Sequence, residues 1–173
     1  DKILVRKSLA GEEITTLDEI EREMSGNELL ITNGKKPIAV AGVMGGLNSA
    51  VTKDTTAVVI ESAYFDPPTI RIGAKALNMS TDASKRFERG ADIKATESAF
   101  WMIVEMLEKY ADAKWVPGIV DEYPKTFKEI KIKVNKSRIA SVSGVDIDNS
   151  FIEKSLTNIG CSIELDNDAW ICN

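Results

Sequence analysis

Residues 41–90 contain three unusual runs of sequence: AGVMGG at 41–46, ESAYFD at 61–66 and TDASKRFERG at 81–90. The first places paired glycines after an apolar segment, the second begins with a lone carboxylate, and the third mixes charges around one phenylalanine. An ordinary core does not require these compositions at such density. We therefore expect the function to lie in this stretch and the fold to be built from the elements around it.

The segments around these runs predict a sheet followed by helices. Strands are predicted where β-branched residues are bounded by turn residues such as Asn33-Gly34: 3–5, 28–32, 37–43 and 57–62. Asp66 with the prolines after it predicts a helix over 69–77. Asp82 predicts the cap of a short helical turn that runs to Phe87 and is closed by Gly90.

The clearest predicted helix covers residues 92–113, with Asp92 as its N-cap. Apolar or small side chains recur every three or four residues: Ile93, Thr96, Phe100, Ile103, Leu107 and Tyr110. Such a stripe is typical of a helix face packed on a core, so we expect it to be structural.

The pattern breaks at WVPGIVDEYPKT and predicts a domain boundary near 122–127, with domains at 1–122 and 123–173. The second domain is predicted to contain a strand at 129–134, helices at 136–142 and 150–159, and a hairpin that pairs 161–165 with 169–172. This outline resembles a small winged helix. The whole chain is predicted to be α+β, with a mixed or antiparallel sheet and packed helices in the first domain.

Composition excludes several classes of function. The chain has 173 residues, 43% of them hydrophobic, and 27 acidic against 22 basic residues. This balance argues against nucleic-acid binding by bulk charge, and we expect no DNA partner. No run approaches the roughly 18 apolar residues of a membrane span. We expect a cytoplasmic protein.

The residue types also limit the chemistry. The chain has no histidine, which excludes catalytic triads and removes the commonest metal ligand. Cys161 and Cys172 lack CxxC spacing and are expected to be buried thiols, so no metal site is predicted. The chain begins at Asp1 and stops just after an apolar segment, which is typical of a piece of a larger protein.

Each of the three runs has two interpretations on its own. Gly45-Gly46 is either a tight structural turn or a loop that brings bare backbone to a ligand. Glu61 is either a surface residue at a strand end or a carboxylate that faces a basic or polar partner. The run at 81–90 is either a solvated helix with ion pairs or part of a site.

The order and spacing of the three runs, with the proline-led helix containing Ile70-Arg71 between them, closely resemble a known family. They resemble the third and fourth domains of the beta subunit of bacterial-type phenylalanyl-tRNA synthetase, which form its editing module. The resemblance continues through residues 130–172, which look like the start of the fifth domain. Gly90-Ala91-Asp92-Ile93 stands where the family often has Gly-Val-Asp-Pro, a conservative departure.

The resemblance implies hydrolysis of tyrosine that has been attached by mistake to the phenylalanine tRNA. A hydrophobic pocket rejects an added hydroxyl by only about 10², so a second site is needed. By position, Glu61 resembles the carboxylate that binds the tyrosine hydroxyl, and Gly45 the glycine whose backbone faces it. Gly42, Thr81 and Ala83 resemble residues lining the pocket.

The resemblance also implies partners and cofactors for the whole enzyme. These are the phenylalanine tRNA, an alpha subunit in an α2β2 heterotetramer, and ATP with Mg²⁺ at sites outside this chain, which itself is expected to hold no cofactor. Arg86 and Arg89 are candidate tRNA contacts, with ion pairs to Glu88 as the alternative. No residue is assigned as catalytic, because the family's histidine segment precedes this chain; ordered water is the expected nucleophile.

The sequence also allows two other functions. The chain is alternatively a non-catalytic module for tRNA docking or subunit assembly, with a local basic patch: Lys75, Lys85, Arg86, Arg89 and Lys94. A scaffold without a site is the third interpretation, favoured if no pocket contains Glu61, Gly45 and Ala83 together.

Overall fold

A computed structural model describes residues 2–128 and 130–173. The chain divides into two compact units, Asp1–Pro117 and Gly118–Asn173. Both contain helices and antiparallel sheets, so the predicted α+β class is confirmed. Each unit has its own buried apolar cluster.

The first unit is built on a four-stranded antiparallel sheet of order β1-β4-β5-β6, with a separate hairpin β2-β3 beside it. The strands are β1 Leu4–Lys7, β2 Glu13–Thr15, β3 Glu21–Glu23, β4 Leu29–Thr32, β5 Pro37–Val40 and β6 Met44–Gly45. The helices are α1 Pro67–Ala76, α2 Asp82–Phe87 and α3 Ala95–Ala111, and a 3₁₀ turn covers Leu47–Ser49.

Strand β4 is the centre of this unit. Leu30, Ile31 and Thr32 follow one another along β4, and each is at most 6% exposed. Such an unbroken run of apolar and β-branched residues is expected for a strand covered on both faces. Helix α1 packs at its end: a Cβ at Gly73 would lie 3.3 Å from Glu28 Cα. The core around β4 consists of Ile14, Met24, Leu30, Ile31, Val40, Ala41, Val43, Phe65, Ile70 and Ala74.

A fully buried carboxylate, Glu28, closes the turn that leads into β4. It accepts hydrogen bonds from the hydroxyls of Ser8 and Ser25, each at 2.7 Å, and from the backbone N–H groups of Ser25, Gly26 and Asn27. Burial raises the pKa of a carboxyl, but here the hydrogen bonds from Ser8 and Ser25 outweigh it and the pKa of Glu28 is lowered. Glu28 thus stabilises the fold as an anion.

Several predicted boundaries in this unit are wrong. Residues 57–62 were predicted as a strand but have no strand geometry, and Val59 is 87% exposed. No described strand pairs with this segment, so its β-branched composition has no ladder to join. The hairpin β2-β3 was not predicted at all.

Helix α3 departs most from expectation. It starts at Ala95, and Asp92 caps only the turn before it, accepting from the Lys94 N–H at 2.9 Å. Within α3 only Val104 is buried, a residue outside the predicted stripe, while Ile103 and Tyr110 are exposed. The other stripe residues, Ile93, Thr96, Phe100 and Leu107, are half-buried, so the described part of the chain covers the predicted face only in part.

The second unit agrees with its predicted outline. Its elements are β7 Ile132–Asn135, α4 Lys136–Ser143, α5 Asn149–Asn158, β8 Ile163–Asp166 and β9 Ala169–Cys172, with sheet order β7-β9-β8. Residue 129, predicted to begin the first strand, lies outside the described residues. Trp170, 2% exposed, anchors the core and donates from Nε1 to Glu153 at 3.0 Å. Cys161 and Cys172 are free thiols, and Cys172 is buried.

Candidate functional site

The first part of the candidate site is the start of helix α2. Thr81 Oγ1 accepts from the Ser84 N–H, and Ser84 Oγ accepts from the Thr81 N–H, both at 3.0 Å. This reciprocal capping box explains why the helix begins here. The predicted cap, Asp82, is instead the first helical residue, because the threonine before it forms both halves of the box with Ser84.

Thr81 also joins α2 to residues 41–46, the glycine loop. Its hydroxyl donates to the carbonyl oxygen of Val43 at 2.8 Å. The hydroxyl has one proton, which it donates to Val43, while its oxygen accepts from Ser84. The side chain of Thr81 therefore links the start of α2 to the run at 41–46. Sequence reasoning missed Val43, since it contributes a backbone carbonyl that no side-chain pattern reveals.

The run at 61–66 meets the other two runs through Phe65. Its ring is buried and packs edge-to-face on Phe87 with centroids 4.9 Å apart. Gly42 has a φ of +65°, and a Cβ there would lie 3.0 Å from both Phe65 and Ile70. Only glycine suits that backbone conformation and that close approach. The three runs are thus in mutual contact through Gly42, Val43, Phe65, Thr81 and Phe87.

Glu61 lies four residues before Phe65 and has no internal partner. Among residues 2–128 and 130–173, its carboxylate makes no hydrogen bond or ion pair. The residue is exposed, yet nearby protein atoms displace part of the water around its carboxyl, and this burial raises the pKa of Glu61. The next residue, Ser62, donates from its hydroxyl to Thr96 O at 2.7 Å and anchors the backbone.

Gly45 is the last residue of strand β6, and Gly46 directly follows it. Gly46 donates its N–H to Ile38 O at 2.8 Å, and a Cβ on Gly46 would lie only 2.7 Å from that oxygen. The carbonyl oxygen of Gly45 accepts from the Leu17 N–H at 3.0 Å. Gly46 is therefore required by the fold itself. A Cβ on Gly45 would lie 3.1 Å from the end of the flexible Leu17 side chain.

The remaining predicted residues lie on the surface of α2 and just after it. Ala83, Arg86 and Arg89 are exposed. Neither arginine forms an ion pair with Glu88 or with another carboxylate in the described ranges. Both guanidinium groups are free of carboxylates within the described protein.

Two clefts lie elsewhere. One, of about 330 Å³, is lined by residues of α1, the segment after it and Glu88. The other, of about 550 Å³, lies in the second unit between β7, α4 and the β8-β9 turn. Neither cleft contains Glu61, Gly45 or Ala83. The three runs pack on one another, but these three residues share neither cleft, a result that favours the scaffold interpretation.

The described part of the chain has neither a candidate metal cluster nor a membrane-spanning helix. No three acidic or cysteine side chains there come together as a candidate metal site. No helix among the described residues has the length and apolarity to cross a membrane.

Comparison with known proteins gives the family. Residues 1–112 match the model of the B3/4 domain, and the chain belongs to that family. It is 44% identical over 172 residues to a protein of Salinibacter ruber named phenylalanine–tRNA ligase beta subunit, covering 99% of this chain and 21% of that one. Proteins of the same name from Geobacillus kaustophilus and Thermotoga maritima are both 39% identical, over 96% and 85% of the chain and 21% and 19% of their own length.

These matches confirm the resemblance carried by the three runs. The chain spans about a fifth of the length of the curated relatives it matches. What the structure adds is that the runs, separate in sequence, pack against one another within the first unit.

Proposed function

We propose that this chain is a fragment of a phenylalanyl-tRNA synthetase beta subunit, and that its first domain is an editing module that takes part in hydrolysing tyrosine wrongly esterified to the phenylalanine tRNA. The observation that carries the proposal is Glu61, a carboxylate without an internal partner whose pKa is raised, four residues from the packed junction of the three runs. In the proposal, the carboxylate accepts the hydrogen bond of the tyrosine hydroxyl.

The discrimination follows from the cost of an unsatisfied charge. A tyrosine ester brings a donor to Glu61, whereas a phenylalanine ester would cover the carboxylate with a hydrocarbon edge. Leaving a buried acceptor unpaired costs about 1–3 kcal/mol, and more for a charged group. The correct product is thus disfavoured in the site, and the wrong one is retained for hydrolysis.

The other residues have supporting roles in this proposal. Thr81 holds α2 against the glycine loop through Val43, and Gly42 allows Phe65 to approach. Ala83, exposed in the first turn of α2, keeps its proposed role as a small residue beside the tyrosine ring. No described side chain is assigned as a general base. Water positioned by backbone groups and by the terminal ribose hydroxyl is the nucleophile.

The whole enzyme supplies the remaining parts of the reaction. An alpha subunit, the phenylalanine tRNA and the ATP- and Mg²⁺-dependent aminoacylation belong to the complete synthetase in this proposal, and the cytoplasm is its location. This chain contributes the second, hydrolytic site.

The test is deacylation by the complete synthetase with Glu61→Ala in the beta subunit. We expect hydrolysis of Tyr-tRNA(Phe) to fall by at least about tenfold, the loss of one charged hydrogen bond, while aminoacylation with phenylalanine is unchanged. Glu21→Ala, at an exposed glutamate of β3, is the matched control. An unchanged rate and an unchanged preference for tyrosine over phenylalanine would show that Glu61 does not discriminate.

A second candidate, a non-catalytic tRNA-docking module, is supported by one observation. In the described ranges, none of its basic side chains forms an ion pair with a carboxylate: Lys75, Lys85, Arg86, Arg89 and Lys94. This candidate is favoured if wild-type enzyme binds the tRNA through this region with a steep salt dependence yet hydrolyses no tyrosyl ester.

A further inference from the structure

The cleft of about 330 Å³ in the first unit has no role in the site described above. It lies beside the last turns of α1 and extends to Glu88, just after α2. Its volume falls at the lower end of the range for small-molecule sites, about 300–1,000 Å³. Ser80, one of its lining residues, directly precedes Thr81 in the chain, so the cleft adjoins the candidate site.

Two cations on one face of α1 line the cleft. Arg71 and Lys75 are four residues apart, which places them one above the other on a helix. Arg71 donates from Nη2 to the backbone oxygen of Glu88 at 3.0 Å, a contact that orients its guanidinium. Neither cation has an ion-pair partner among residues 2–128 and 130–173. Such a pair suits a phosphate, because guanidinium geometry matches two of its oxygens.

The rest of the lining combines two apolar residues, Ala74 and Met79, with three polar side chains that are not used internally. The side chains of Asn78 and Ser80 make no hydrogen bond within the described residues, and the Glu88 carboxylate makes none either. A carboxylate would repel an isolated phosphate, but it accepts hydrogen bonds from ribose hydroxyls and from base amino groups. Together the lining groups match a ligand that carries one phosphate and several donors.

We propose that this cleft binds one nucleotide of an RNA strand, with its phosphate on Arg71 and Lys75 and its ribose or base on Asn78, Ser80 and Glu88. The inference rests on the proposed function, since the position of Ser80 before Thr81 places this nucleotide close to the esterified end of the tRNA. The cleft would hold the strand while the terminal ester lies at the junction of the three runs.

The experiment uses the complete synthetase with Arg71→Gln and Lys75→Gln combined in the beta subunit. We expect the KM for Tyr-tRNA(Phe) in deacylation to rise severalfold, with kcat and the preference for tyrosine over phenylalanine unchanged. The slope of log K for tRNA binding against log salt should decrease in magnitude by about 0.7, the value for one phosphate of a single strand. Lys35→Gln with Lys36→Gln is the matched control, since it removes the same charge from an exposed turn between β4 and β5.

The outcomes separate the two proposals. An unchanged KM and an unchanged salt slope overturn the nucleotide cleft, even if Glu61→Ala still abolishes deacylation. A decreased slope with no deacylation in the wild-type enzyme supports the cleft and contradicts the proposed function. Loss of alpha-subunit assembly in the double variant, with tRNA binding intact, would make the cleft a protein contact and overturn the proposal. Circular dichroism melting of each variant checks that the fold is retained.

Discussion

Two glutamates of the first unit show how position decides the state of one side chain. Glu28 is fully buried but accepts hydrogen bonds from two hydroxyls and three backbone groups, and its pKa is lowered. Glu61 is exposed as a residue but makes no such bond, and burial around its carboxyl raises its pKa. The first anion stabilises the fold, whereas the second weakens it and is available to a ligand.

A change of Glu61 to glutamine tests this cost through its pH dependence. Because the folded pKa is raised, ionisation disfavours the folded state once the pH exceeds the unfolded value of about 4.3. We expect Glu61→Gln to melt at a higher temperature than wild type at pH 7, and the difference to disappear below about pH 4, where both states of the wild type are protonated. Calorimetric melting from pH 3.5 to 7.5 measures this.

The control for that series is Glu21→Gln, at an exposed position of strand β3. Acid also protonates Glu28 in every protein of the series, so only differences between variants are compared. A Glu61→Gln advantage that is equal at pH 4 and pH 7 would contradict a role for the carboxylate charge.

At the scale of elements, the two adjacent glycines at the end of β6, Gly45 and Gly46, have different roles. A Cβ on Gly46 meets a backbone oxygen of the neighbouring strand, which cannot move without breaking the ladder. A Cβ on Gly45 meets only the tip of Leu17, which can change rotamer. The structural interpretation of the pair thus applies to Gly46, and for Gly45 the ligand-facing interpretation stays a prediction.

Alanine at each glycine separates these roles. Gly46→Ala should destabilise the protein by about 1–3 kcal/mol, as overpacking does. Gly45→Ala should be milder in urea unfolding, but should reduce deacylation of Tyr-tRNA(Phe) in the complete synthetase if its backbone faces the tyrosine hydroxyl. Equal destabilisation by the two changes would show that Leu17 cannot adjust.

At the scale of the whole molecule, the two units have separate cores. The first is centred on β4, and the second on Ile152, Trp170 and Cys172. The proposed site and the proposed nucleotide cleft both lie in the first unit. A defect in the second core should therefore leave the site residues folded.

Trp170→Ala tests this independence. Removing a buried tryptophan costs about 3–5 kcal/mol, and the Glu153 carboxylate would also lose its donor. We expect faster hydrogen exchange at the amides of β7 and β9, with protection of β4 and β5 unchanged. Equal loss of protection in both units would contradict separate cores.

Local chemistry made much of the fold predictable. The cap at Asp66, the prolines after it and the helices and hairpin of the second unit follow from side-chain types and turn residues, which act over a few positions. Prediction failed where a distant segment decides the outcome. The β-branched segment 57–62 has no described partner strand, and the described residues cover the periodic stripe of α3 only in part.

The sequence by itself determined the class of fold, the family and the order of the three runs, because these depend on residue types and their spacing. Only the tertiary structure decided that Thr81 bonds to Val43, that Phe65 packs between Gly42 and Phe87, and that Gly46 is the glycine the strand requires. These contacts join residues that lie between 8 and 38 positions apart in the chain. Spacing along a sequence carries no information on such distances. The sequence therefore predicts Glu61 at the end of a strand, whereas the structure places it outside any described strand, with a carboxylate that makes no hydrogen bond to the described residues.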